Sequence, residues 1–319
     1  NTTASYGTGI GMGALANNTT GANNTAVGYY ALVTKTTGAS NVAVGKDALD
    51  ANTTASSNIA VGLGALGAAT TGGLNIGIGS YAGDAITTGS QNTAMGYNAL
   101  SANITSHSNT AIGSGALSVN TAAQNTAVGD EALNKNTTAT GVVAVGYNAL
   151  GENTTGADNT AVGFDALRAV TTAGSNTALG SEALRGNTTG HSNTAVGNEA
   201  MYGGTTGVRN TAVGNVCLDA VNTGDDNTAI GNGAMTVSTS GDNNTAIGSA
   251  SLAANTTAND NVAVGHQALE QNTTGYSNTG VGKASLNAVT TGAGNSAFGY
   301  ASGDGITTGN YNVALGYNC

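Results

Sequence analysis

Residues 24–40 read NTAVGYYALVTKTTGAS, and residues 41–57 read NVAVGKDALDANTTASS. Set one above the other, they match Asn24 with Asn41, Val27 with Val44, Gly28 with Gly45, Leu32 with Leu49 and Thr37 with Thr54. The offset is 17 residues, and it continues through the chain. With Asn24 as slot 1, the repeat returns at Asn58, Asn75, Asn92 and Asn109, takes one 16-residue step to Asn125, and resumes at Val142 and Asn159 on to Asn312. A degenerate first copy begins at Gly7, which makes 19 copies. Repetition at this period marks a solenoid, in which a unit is stable only when stacked on its neighbours.

Composition narrows the alternatives. Charged residues are 8%, Pro and Trp are absent and Gly numbers 51, a balance also found in disordered low-complexity tracts. Disorder does not require apolar residues to keep phase, and here they do. A formal charge of -10 with seven Lys and Arg argues against nucleic acid or anionic lipid as partner. No apolar run approaches the ~18 residues of a membrane span, and no signal peptide opens the sequence. Asn1 falls in slot 12 and Cys319 in slot 8. The expectation is that residues 1–319 are a single β-solenoid array, a segment of a longer fibre protein. Alternatively, only three slots are missing between Cys319 and a following Asn1, so subunits could stack head to tail.

The consensus coil is N-T-A-V-G-x-x-A-L-x-x-N-T-T-G-x-x. Slots 2 to 4 alternate as a strand does. Slot 4 is always apolar, from Val27, Val44 and Val61 to Phe298 and Leu315; slot 2 is Thr exchanging with Val or Ile, as at Val42 and Ile59. These β-branched residues suit a strand, and the pattern predicts that slots 2 and 4 face the coil interior. Slot 3 then points the other way. It is Ala in 16 copies and Gly in three, so another backbone must come close. The expected partner is a second chain, with Ala26, Ala43, Ala60, Ala94, Ala127, Ala161, Ala195, Ala229, Ala263 and Ala297 at the interface; a tight contact within one chain is the alternative.

Slot 5 is Gly in every copy, among them Gly28, Gly45, Gly62, Gly96, Gly129, Gly163, Gly197, Gly231, Gly265 and Gly299. A Gly in that place predicts a turn with positive φ or an approach that excludes a Cβ. Slots 8 and 9, Ala-Leu, are expected to begin a second strand with Leu inward; slots 12 to 15 form a second turn. The Asn column at slot 1 predicts an amide ladder between coils ~4.8 Å apart. No 3.6-residue stripe is present, and Gly recurs too often for helices. The fold class expected is all-β: a parallel β-solenoid, a flattened β-roll of 19 coils of 17 residues. Each coil buries about two large apolar side chains, roughly 1.5–3 kcal/mol apiece, so a lone roll is marginal and a trimer is the expected assembly.

The N-T-A-V-G-x-x-A-L run resembles the repeats in the head domains of trimeric autotransporter adhesins, and equally the repetitive shafts of viral tail fibres. The resemblance covers residues 7–319. It implies a trimeric parallel β-roll outside the cell or on a virion. The longer period and the persistent N-T-T-G turn depart from the adhesin heads.

A search for chemistry finds little. His107 and His191 share slot 16 five coils apart and His266 is in slot 6, which predicts exposed loop residues. Ser and Thr have no His/Asp partner in phase, so no nucleophilic triad is supported. Cys217 and Cys319 replace the small residue of slot 8 and are expected as buried substitutes for Ala, too far apart to pair in a straight rod. Asp165, Glu182 and Glu199 occupy slot 7 of three successive coils and could hold a cation; Arg168 and Arg185 in slot 10 suggest neutralisation instead. Tyr29, Tyr97, Tyr147 and Tyr300 in slot 6 are candidates for stacking on sugars. Asn-Thr-Thr sequons at Asn18, Asn52, Asn136, Asn153, Asn187, Asn255 and Asn272 are produced by the repeat itself.

These readings predict a structural, non-enzymatic extracellular fibre segment, shaft or adhesive head, that assembles with itself, contacts surface glycans, needs no cofactor and inserts in no membrane. A head-to-tail filament subunit is the second reading. Ice binding through Thr ranks is a third, disfavoured by the expectation that slot 2 points inward.

Overall fold

The computed structural model describes residues 4–204, 206–220 and 223–319; Asn1, with the head-to-tail reading that depends on it, lies outside them. The chain is an all-β parallel solenoid, and no helix occurs among the described residues. It divides into two compact units, residues 1–158 and 159–319.

Each strand is three residues long and occupies slots 2 to 4. In the first unit the strands run from β1 (Thr8–Ile10) to β9 (Val143–Val145), and in the second from β10 (Thr160–Val162) to β19 (Val313–Leu315). Within a unit each strand pairs in parallel with the next, slot for slot: Thr25 with Val42, Ala26 with Ala43 and Val27 with Val44, or Thr228 with Thr245, Ala229 with Ala246 and Ile230 with Ile247. The 16-residue copy keeps this register, with Thr110 opposite Thr126. The residue it lacks is slot 14, an exposed Thr in the neighbouring coils. The Asn120 amide then reaches Ala122 O at 2.7 Å, two residues on, where Asn153 reaches Gly156 O at 3.1 Å, three residues on.

The strand faces the opposite way from the sequence expectation. Slot 3 is the buried one and slots 2 and 4 are half-buried or exposed in both units. Ala26, Ala43, Ala60, Ala94 and Ala127 in the first unit, and Ala161, Ala195, Ala229, Ala263 and Ala297 in the second, are completely enclosed by their own chain, so they form no surface for a second one. The physical reason is the thinness of the coil. Where slot 3 is Gly77, an added Cβ would lie 2.7 Å from Leu66 Cγ and 3.0 Å from Ala82 O; at Gly280 it would lie 3.1 Å from Ser285 O. The close backbone inferred from the Ala column is the opposite wall of the same coil.

That wall is no second strand. Slots 6 to 11 hold no strand among the described residues and are turn in most coils, and both slot 7 and slot 9 have left-handed backbone: Asp47 φ 56° and Leu49 φ 51°, Asp165 and Leu167 both φ 51°. A branched residue at positive φ is uncommon, at a cost of about 1–2 kcal/mol. Coil-to-coil hydrogen bonds offset it, for Asp47 N–H donates to Tyr29 O at 2.9 Å and Leu49 N–H to Ala65 O at 3.1 Å. Leu49, Leu100, Leu167 and Leu269 still point inward and are fully buried, filling the space the small slot 3 leaves.

The interior also holds two polar columns. At slot 1, Asn Oδ1 accepts the backbone N–H of the next coil's Asn: Asn41 to Asn24 at 2.9 Å, Asn58 to Asn41 at 2.9 Å, Asn244 to Asn227 at 3.0 Å. The amide Nδ2 donates to the slot 15 carbonyl of its own coil, as Asn58 does to Gly72 O at 3.0 Å. Direct amide-to-amide bonds are added at Asn41, Asn227 and Asn295 among others. The expected ladder is therefore present, built on side chain to backbone as well as amide to amide. At slot 12, Asn18, Asn136 and Asn272 bond the slot 15 carbonyl three residues on. A third column lies at slot 13, where Thr Oγ1 donates to the slot 13 carbonyl of the next coil, Thr53 to Thr70 O at 3.2 Å.

Candidate functional site

The strand residues that point outward form the most extensive feature of the surface. The large apolar residues of slot 4 protrude: Val61 and Ile112 are 36% exposed, Leu179 47% and Phe298 44%. Slot 2 lies beside them with Thr, Val or Ile, and neither slot holds a charged residue in any copy. Thr at slot 2 thus faces outward, which removes the orientation argument raised against an ice-binding surface.

The slot 5 Gly column ends each strand. Gly28, Gly45, Gly62, Gly96, Gly129, Gly163, Gly197, Gly231, Gly265 and Gly299 all have φ between 130° and 140°. A Cβ on Gly231 would lie 2.6 Å from the carbonyl of Gly248. Both reasons anticipated for Gly apply together.

Beyond that turn stand the slot 6 aromatics. Tyr29, Tyr97, Tyr147 and Tyr300 are 42%, 57%, 47% and 45% exposed. They do not form one platform. Lys46 Nζ lies 5.9 Å from the Tyr29 ring centre, and Lys283 Nζ lies 5.7 Å from that of Tyr300, in cation–π contact. Tyr300 also stacks on Tyr317 at 5.0 Å with planes 12° apart. Tyr97 and Tyr147 sit three coils apart in slot 6, with Ser114 and Asp130 in that column between them.

At slot 7, Asp165 is buried and Glu182 and Glu199 are half-buried. Asp165 Oδ2 lies 3.4 Å from Arg185 Nε and 3.7 Å from Arg168 Nη1. Two guanidinium groups therefore hold the one buried carboxylate of this column. No cluster of three or more His, Cys, Asp or Glu placed to hold a metal ion occurs among the described residues. His107, His191 and His266 are exposed. Cys217 is buried, as a substitute for Ala should be, and burial pushes its thiol up to about 11; Cys319, expected buried, is exposed.

Two interior features escape the sequence reading. The sequon Asn residues, Asn18, Asn52, Asn136, Asn153, Asn187, Asn255 and Asn272, are buried, so a glycan on any of them is incompatible with the folded coil. Lys35 takes the slot 12 place of Asn and is fully buried, its Nζ 3.1 Å from Ala55 O and 3.4 Å from Asn52 Oδ1. Burial lowers its pKa to about 8. Asn18 Oδ1 and Asn52 Nδ2, in the coils on either side, have no hydrogen-bond partner. The signal for Lys35 was a cation in a column otherwise holding Asn, Ala, Val, Ile, Gly or Ser. The crevice lined by Leu184, Asn187, Met201 and Gly204 among others has no room for a water molecule.

No family model and no curated protein matches this chain.

Proposed function

We propose that this chain is a structural, non-enzymatic segment of an extracellular fibre, the shaft or adhesive head of a trimeric surface-attachment protein such as a tail fibre or adhesin. The observation that carries the reading is the in-register ladder. Coil after coil, the slot 1 and slot 12 amides and the slot 13 hydroxyls bond across or along the coils, and each three-residue strand meets its copy. Such stacking resists extension along the coil axis, because every coil is held by several hydrogen bonds in parallel.

The exposed Tyr residues beside the Gly turn support contact with surface glycans, Tyr97 being the most exposed of the four at 57%. Labelling intact, unpermeabilised cells or purified virions with antibody to this chain tests the location. Label on projecting fibres is the expected result. Label that appears only after permeabilisation overturns the reading.

A further inference from the structure

We infer that the outward strand face, slots 2 and 4, is the surface through which copies of this chain pack on one another. The inference rests on the fibre reading and assigns its contact face. Val61, Ile112, Leu179, Ile230, Ile247 and Phe298 stand on this face, each at least 36% exposed. Other exposed slots change character freely: slot 6 holds Tyr, Lys, Ser, Asp, Asn and His in different copies, whereas slot 4 stays apolar in all 19. Solvent imposes no such restriction, but a contact surface does.

The repeat selects the occupant. Apolar side chains recur once per coil along each unit, and a partner that covers them all must carry the same spacing. A second copy does so at every coil; an unrelated globular surface meets only a few. The absence of charge from slots 2 and 4 lets like faces meet although the chain carries -10 overall.

Sedimentation of the full chain gives the test. Wild type is expected as an oligomer, at two or more times 30.6 kDa. A variant carrying Val61→Asp, Ile112→Asp, Ile230→Asp and Ile247→Asp is expected at 30.6 kDa with an unchanged far-UV spectrum, since these side chains lie outside the coil. Thr88→Asp with Thr172→Asp, on the exposed slot 14, is the control that stays assembled. Should the fourfold variant lose its β spectrum, cross-linking decides: in a Cys217→Ser, Cys319→Ser background, a short bismaleimide joins Ile112→Cys chains and leaves Thr88→Cys chains separate. A folded fourfold variant that keeps the wild-type mass overturns the assigned face while the fibre reading stands. A monomeric wild type overturns both, and thermal hysteresis in that monomer would give the face to ice.

Discussion

Lys35 shows how strictly the interior is specified. Its ammonium sits where neighbouring coils hold a neutral residue, and burial lowers its pKa from 10.5 to about 8. The unfolded chain therefore binds more protons than the folded one between about pH 8 and 10.5, so stability rises with pH across that window. Below pH 8 the penalty is constant, about 3 kcal/mol at 1.36 per unit. Lys35→Asn is expected to raise the denaturant midpoint at pH 7 and to lose most of that advantage at pH 11; equal gains at both values would contradict the assignment. Gly231 makes the opposite case. With φ 135° and the Gly248 carbonyl 2.6 Å from a prospective Cβ, Gly231→Ala should cost about 3 kcal/mol, read as a fall in the unfolding midpoint.

At the scale of the element, the sequence revealed the strand but not which way it faces. Alternation in T-A-V correctly separates slot 3 from slots 2 and 4. Choosing the interior by side-chain size then fails, because the opposite wall stands so near that only Ala fits beneath the strand, while Leu of slot 9 supplies the bulk. The second strand failed for a related reason. Ala-Leu looks like a strand start, and nothing in a Leu announces the left-handed backbone seen at Leu49 or Leu167. The compensation within a coil is legible once seen. Coil 75–91 has Gly83 in slot 9 and Ile86 in slot 12, where the consensus has Leu and Asn. A Cβ on Gly83 would come within 3.0 Å of Ile86 Cδ1, so Ile fills the missing Leu's space. Gly83→Leu alone should overpack and Ile86→Asn alone should leave a void. Together they restore the consensus, with a coupling on the order of 2 kcal/mol in a double-mutant cycle; additive losses would refute the exchange.

Across the whole molecule, stacking implies that coils are interchangeable so long as phase is kept. Deleting residues 92–108 joins Gln91 to Asn109 in phase, and the shortened chain should keep its β spectrum and cooperative melting. Deleting residues 92–99 instead removes the Thr93–Met95 strand and leaves residues 100–108 as an out-of-phase insert between two complete coils, and should lower the melting midpoint below that of the 92–108 deletion. The repeat and its register were legible because they need only counting, and so was the Gly turn, because Gly alone tolerates it. The candidate site was less so. Neutralisation of the acidic column could be anticipated from Arg168 and Arg185 in slot 10, but not that both would converge on the one buried carboxylate, Asp165; the sequons were legible as a product of the repeat, but not the burial of their Asn side chains. Both depend on where slots 7 and 12 point, which the turn conformation decides. The most direct measurement is a cryo-EM reconstruction of the purified full-length chain. The account predicts the Ala column of slot 3 sealed inside each chain, with the Val, Ile and Leu of slot 4 where chains meet; an Ala column lying between chains would contradict it.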